Sequence, residues 1–148
     1  MASSILIYKG KGFWISDYFL GAIYCLLHEE LNRKINNSNN FDKLKKDLEF
    51  GIAGYYDGAV DLNLDDYDDK TINLLKNLLL SIQENFQFTN NKELTNYLNN
   101  YRNKLWDVKE KYFNEDISTI KKLNKLMLDL LNGNLDCNGE KIGFFLEC

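Results

Sequence analysis

Apolar residues recur at intervals of three and four positions in five separate stretches of this chain, and this spacing constrains the fold more than any other feature. Residues spaced in this way lie on one face of an α-helix, where they can pack against a core. The 148 residues include no proline, which would interrupt a helix interior. The spacing therefore predicts five helices, near residues 16–35, 41–52, 69–87, 90–112 and 116–132.

Short runs of apolar residues lie near both ends of the chain. ILIY at 5–8 and IGFFL at 142–146 are typical of strands, and we expect that they pair as a small sheet. GKG at 10–12 is interpreted as a turn between the first strand and the first helix. A chain of this length is most simply one domain. The fold class that we predict is a mainly α, single-domain bundle of about five helices spanning 1–148, with a small sheet from the terminal strands.

The overall charge and the cysteines narrow the class of protein. A formal net charge of -4 argues against general nucleic-acid affinity, which needs a basic face. Three cysteines cannot all pair within one chain, so reduced thiols in a cytoplasmic protein are the simplest interpretation. The apolar run at 13–27 is shorter than the ~20 residues that span a bilayer, and Asp17 interrupts it. We therefore expect neither a nucleic-acid partner nor a membrane partner.

The negative charge is concentrated in one segment, residues 57–69, which contains no Lys or Arg. Without the six aspartates of this segment, the formal charge of -4 becomes +2 for the rest of the chain. Asp68 and Asp69 are explained by a helix start, where anions are favourable by ~0.3–1 kcal/mol each. A helix start does not explain the other four, which are Asp57, Asp61, Asp65 and Asp66.

Tyrosines accompany these aspartates, at positions 55, 56 and 67. Acidic residues interleaved with tyrosine are typical of a surface that binds a basic partner, because charge steers the encounter and aromatic area anchors it. If Leu64 and the apolar residues before it point inward, the intervening polar residues point outward together. The candidate partner-binding residues are Tyr56, Asp57, Asp61, Asp65, Asp66 and Tyr67.

Other uses of the acidic segment fit less well. An EF-hand loop that begins at Asp61 would need Gly where Asp66 stands and Glu where Ile72 stands. Carboxylates around a divalent metal could support a small metal-dependent enzyme, and this alternative stays open although the chain has only one histidine. A phage-type inhibitor or nucleic-acid mimic would share the acidic face. We expect no catalytic residue, no metal ligand and no cofactor.

The one histidine lies one helical turn after a cysteine, Cys25, in the first predicted helix. With Cys137 and Cys148 the two residues could form a zinc site, but the other cysteines lack ligand spacing. The prediction is a buried thiol at Cys25 and a surface histidine at His28.

Three stretches together resemble a known family. They are YKGKGFWISDYFLGAIYCLL at 8–27, GYYDGAVDLNLDDY at 54–67 and LLNGNLD at 130–136, and KGKGFW is the most specific part. In this order and spacing they resemble bacterial immunity proteins of contact-dependent growth-inhibition and related polymorphic toxin systems. The resemblance spans most of the chain, although the middle stretch has more aspartate than the family leads us to expect.

The resemblance implies a cytoplasmic protein without catalytic activity that binds the C-terminal toxin domain delivered by a neighbouring cell. Many such toxins are nucleases with basic substrate clefts. The expected partner is therefore a basic toxin domain, and the expected role of the acidic segment is to cover its active site or substrate-binding surface.

Overall fold

The computed structural model describes residues 3–34, 41–53 and 63–135. These residues form a mainly α fold with a small antiparallel sheet, as the sequence predicts. In chain order the elements are β1 (Ser3–Tyr8), β2 (Lys11–Ser16), α1 (Asp17–Lys34), α2 (Asp42–Ala53), a 3-10 helix (Leu64–Asp66), α3 (Asp69–Glu84), α4 (Asn91–Trp106) and α5 (Ile117–Leu131).

The two strands form a hairpin that runs directly into α1. β1 and β2 are paired from Ser3↔Ser16 to Tyr8↔Lys11, which leaves Lys9 and Gly10 as a two-residue loop. Both loop residues have positive φ, 51° and 79°, as tight hairpin turns of right-handed twist require. A turn is present, but at Lys9–Gly10 and not over the whole of GKG, since Lys11 and Gly12 already belong to a second strand that precedes the helix.

The sequence pattern missed β2 because its alternation is short. Phe13 and Ile15 are buried whereas Trp14 is exposed, which is the period of two that identifies a half-buried strand. The observed partner of β1 is β2. The C-terminal run at 142–146 lies outside the described residues, so its pairing with the N-terminal strand stays a prediction.

α1 is the central helix and packs against each of the other four. Twelve of its 18 residues are buried, which is more than one amphipathic face can supply. Its closest neighbour is α2, where Gly51 lies under the ring of Tyr24. A Cβ on Gly51 would lie 2.2 Å from Cδ2 of Tyr24, so this position in the helix interior requires glycine.

α4 is shorter than its apolar spacing predicts, and the expected helix to residue 112 is wrong in its last turn and a half. The helix ends at Trp106 because Asp107 adopts a left-handed conformation, with φ 52° and ψ 47°. The carbonyl of Asn103 accepts a hydrogen bond from the Val108 amide at 3.1 Å, which closes the helix end.

The segment 107–116 then returns along α4 without regular structure. The side chain of Asn99 satisfies backbone groups of this segment. Its amide oxygen accepts hydrogen bonds from the Tyr112 and Phe113 amides at 2.9 and 2.7 Å. Its amide nitrogen donates to the Phe113 carbonyl at 2.9 Å. Apolar spacing continues through this segment, so periodicity alone could not locate the end of α4.

Asp116, which the sequence predicts as the start of the last helix, caps α5 by accepting from the Thr119 amide at 2.7 Å. None of the helices in the described ranges combines the length and the apolar character that a membrane-spanning helix needs.

Candidate functional site

The described part of the acidic segment, residues 63–69, includes a single turn of 3-10 helix, Leu64–Asp66, which we call the acidic turn. Leu64 is buried against the core with 1 % of its surface exposed, whereas Asp65 and Asp66 are exposed. Leu64 points inward, as the sequence analysis assumed, but the chain here forms a 3-10 turn and is not extended. The turn therefore presents two neighbouring carboxylates to solvent from a buried leucine anchor.

Two hydrogen bonds fix the conformation of this turn. The backbone amide of Lys9, in the hairpin loop, donates to Oδ1 of Asp65 at 3.0 Å. The side-chain amide of Asn63 donates to Oδ2 of Asp66 at 2.6 Å. The acidic turn is therefore attached to the tip of the hairpin, although 56 residues separate Lys9 from Asp65 in sequence.

Tyr67 follows the turn and attaches it to α2. Its hydroxyl donates to Oδ2 of Asp47 at 2.5 Å, and Nζ of Lys43 lies 4.7 Å from the centroid of its ring. Burial, and then the Asp47 carboxylate, raise the pKa of Tyr67 above its ordinary value, so the phenol stays protonated. The side chain is half-buried, and much of its ring packs on the protein itself.

Asp68 has the structural role that the sequence predicts for a helix start. Its carboxylate accepts from the Thr71 amide at 2.8 Å and caps α3, which begins one residue later. The hydrogen bonds from Thr71 lower the pKa of Asp68 below its ordinary value. The cap residue is Asp68, and Asp69 lies in the first turn of α3, where negative charge is also favourable.

A buried arginine binds the C-terminal end of α2, where the segment 54–62 begins. Arg102 of α4 is 1 % exposed, and it donates to the Ile52 carbonyl at 3.1 Å and to the Ala53 carbonyl at 2.9 Å. Its third bond, at 2.7 Å, goes to Glu110. Sequence reasoning missed this residue, because no local pattern indicates that an arginine of α4 reaches the end of α2, 49 residues earlier in the chain.

Three of the candidate partner-binding residues, Tyr56, Asp57 and Asp61, lie outside the described residues. The other three, Asp65, Asp66 and Tyr67, are consecutive in sequence, and the structure holds them between the hairpin tip and α2. Tyr56, Asp57 and Asp61 lie in the segment between the end of α2 at Ala53 and the acidic turn.

His28 is not a surface residue, so that prediction is wrong. It is 2 % exposed, with Nδ1 lying 2.6 Å from the Tyr101 hydroxyl and Nε2 lying 3.0 Å from Oε1 of Glu49. The ring bridges three helices, because Glu49 belongs to α2 and Tyr101 to α4. A histidine on the inner side of α1 is buried here because polar partners from both neighbouring helices reach it.

The thiol of Cys25 is buried and free, as predicted, and burial raises its pKa above the ordinary value. Cys137 and Cys148 lie outside the described residues. Within the described ranges, no group of three or more His, Cys, Asp or Glu side chains is arranged to hold a metal ion.

The acidic turn can thus offer fixed carboxylates to a basic surface. Its two aspartates are preorganised by one hydrogen bond each, and both stay exposed. No protein-family model, curated protein or solved structure matches this chain.

Proposed function

We propose that this chain is a cytoplasmic immunity protein that binds a cognate toxin domain and neutralises it without catalysis. The observation that carries the proposal is the acidic turn, where two exposed aspartates are held in a fixed position at the tip of the hairpin. The resemblance of residues 8–27, 54–67 and 130–136 to immunity proteins supplies the class of partner.

The proposed mechanism is occlusion of a basic surface. Carboxylates arranged opposite cations raise the association rate, and those that lose contact with water on binding also slow dissociation. A toxin that acts on nucleic acid needs a basic cleft to hold phosphates. The acidic turn, together with Asp57 and Asp61, would occupy that cleft in place of the substrate, and this makes a nuclease the expected toxin.

Fixing the turn before binding favours this use. A loop that becomes ordered only in the complex loses conformational entropy at that moment, which reduces affinity. The Lys9–Asp65 hydrogen bond, the buried Leu64 side chain and the Tyr67–Asp47 hydrogen bond hold the turn in the unbound chain. Asp65 and Asp66 would therefore meet a partner with little further ordering.

The test uses the polypeptide encoded by the gene directly upstream, expressed in cells with and without this chain. We expect that the wild-type chain restores growth and binds the purified polypeptide. Asp61, Asp65 and Asp66 changed together to Asn should weaken both effects. The control for lost charge is Glu84→Gln with Asp107→Asn, which removes two exposed charges elsewhere and is compared with Asp65→Asn plus Asp66→Asn.

Metal-dependent turnover of a substrate by the chain, lost when Asp57, Asp61, Asp65 and Asp66 are changed together, would replace this proposal with the metal-enzyme alternative. Absence of both protection and binding for the wild-type chain would contradict the immunity function.

A further inference from the structure

The outer face of the hairpin carries large apolar side chains in solvent. Leu6, Tyr8 and Phe13 point inward and are buried, whereas Ile7 and Trp14 point outward with 42 % and 40 % of their surface exposed. This arrangement follows the alternation of side chains along a strand. Buried side chains on the inner face already attach the hairpin to the core, so the exposure of Ile7 and Trp14 is not needed for packing.

Two nearby residues limit this face. Tyr18, at the start of α1, is 37 % exposed, but its ring pairs with that of Tyr112, with the centroids 4.8 Å apart. Gly12 lies opposite Ile7, and a Cβ there would lie 2.2 Å from the Leu6 carbonyl oxygen. A side chain at Gly12 is thereby excluded, and the Ile7 side chain lies close to the buried Gly12 backbone. We call Ile7 and Trp14 the hairpin face.

The hairpin face lies next to the acidic turn. The Lys9 amide that binds Asp65 is two residues from Ile7, a distance of about 7 Å along an extended chain. An apolar patch with polar residues at its edge is the usual arrangement of a protein-binding surface, with an aromatic anchor inside and charges at the rim. The acidic turn alone is too small for a stable complex, which buries ~800 Å² on each partner.

We propose that the hairpin face and the acidic turn form one continuous docking surface for the basic toxin domain. Trp14 and Ile7 would fill an apolar depression on that domain, while Asp65 and Asp66 meet the cations beside it. This inference rests on the proposed function and names the part of the interface that the acidic segment could not supply.

The lysines of the hairpin tip define the expected charge pattern of the partner. Nζ of Lys9 lies 5.2 Å from the centroid of the Tyr8 ring on its own strand, and Lys11 is exposed beside it. The cations of the toxin domain must therefore face the acidic turn and avoid Lys11. Because like charges at a rim slow association, Lys11→Gln should leave the association rate equal or higher.

The experiment measures the dissociation constant for the purified polypeptide encoded directly upstream. Trp14→Thr and Ile7→Thr keep residues that favour strands. The matched control is Leu80→Gln, which changes an apolar side chain of equal exposure, 44 %, about 16 Å along α3 from its first residue. We expect weakening of ~30-fold for Trp14→Thr, a few-fold for Ile7→Thr and less than ~2-fold for Leu80→Gln.

The outcomes separate this inference from the proposed function. Loss of affinity in the Asp65 and Asp66 variants with unchanged affinity in Trp14→Thr and Ile7→Thr would overturn the inference and leave the function standing. Absence of binding by the wild-type chain would overturn both.

Two results without the partner would also overturn it. A wild-type dimer in sedimentation that Trp14→Thr dissociates would make a second copy of the chain the occupant. Unfolding of the isolated chain by both Trp14→Thr and Ile7→Thr would mean that the chain itself covers the face.

Discussion

The interior of the helical bundle and the acidic turn both contain polar side chains, but they use them differently. Arg102, Asn99 and His28, which we call the polar core, are buried and direct their polar atoms at partners within the chain. Asp65 and Asp66 each accept one bond from the chain and remain exposed. The comparison suggests that the polar core holds the fold, whereas the acidic turn is available for a partner.

The largest effect should follow the loss of the Arg102 guanidinium. Arg102→Met keeps most of the side-chain volume but leaves the buried Ile52 and Ala53 carbonyls without their donors. Each unsatisfied group costs about 1–3 kcal/mol, so we expect the free energy of unfolding to fall by about 4 kcal/mol in urea denaturation.

Arg102→Lys is the informative control, because a single ammonium cannot reproduce the guanidinium fork and should lose an intermediate amount. Equal stability of Arg102→Met and the wild-type chain would contradict the structural role assigned to the polar core.

Glu115 tests the same comparison through pH. It is 4 % exposed, its Oε2 has no hydrogen-bond partner within the described ranges, and burial raises its pKa to about 8. The folded chain therefore keeps a proton that the unfolded chain releases above its ordinary pKa of 4.5. Rising pH favours the unfolded chain until the folded carboxyl also ionises near pH 8.

We expect this group to remove about 3 kcal/mol of stability between pH 5 and pH 8. Glu115→Gln should lack that part of the decline, and denaturation series for both chains over this range measure the difference. Parallel curves would show that Glu115 is ionised in the folded chain. Asp116→Asn tests the second cause, since the Asp116 carboxylate also raises the pKa of Glu115 and its removal should reduce the decline.

His28 should contribute less than Arg102. His28→Leu removes the bonds to Glu49 and Tyr101, but Glu49 is 29 % exposed and can be hydrated in the variant. We expect a loss of about 1–2 kcal/mol in the free energy of unfolding. Tyr101→Phe removes only the hydroxyl and should cost about 0.5–1.5 kcal/mol. A larger loss of unfolding free energy for Tyr101→Phe than for His28→Leu would contradict this, because it would show that the Tyr101 hydroxyl contributes more to stability than the His28 side chain.

How far the sequence predicted these regions depends on whether a local pattern encodes them. The five helices follow from apolar spacing, and the cap at Asp116 follows from a residue type at a helix start. The end of α4 at Trp106 depends on Asn99, which holds a segment 14 residues later through its amide group. No period in the sequence reports such a contact.

The polar core was missed for the same physical reason. Arg102 and His28 are residue types found mostly at surfaces, and they are buried here only because partners from other helices satisfy them. The charge of the acidic turn is visible in the sequence because it is local, but the apolar alternation indicated an extended chain where the structure has a 3-10 turn. Its attachment to Lys9 was not predicted, since that bond joins residues 56 positions apart.

The smallest effect on folding should belong to the acidic turn, and it should be the largest effect on partner binding. Asp65→Asn with Asp66→Asn keeps an oxygen that can accept from Lys9 and Asn63, so the free energy of unfolding should change by less than about 0.5 kcal/mol. The association rate with the basic partner should fall at low salt, because two charges that steer the encounter are gone. High salt shortens the Debye length, to ~3 Å at about 1 M, and so screens the exposed charges, and the rates of the variant and the wild-type chain should converge there. Stopped-flow association at two salt concentrations measures this, with Glu84→Gln and Asp107→Asn as the control that removes equal charge elsewhere. An equal decrease in the association rate of the control variant would show that net charge, and not the acidic turn, steers the encounter. An unchanged association rate of the Asp65 and Asp66 variant at both salt concentrations would place the interface away from the acidic turn.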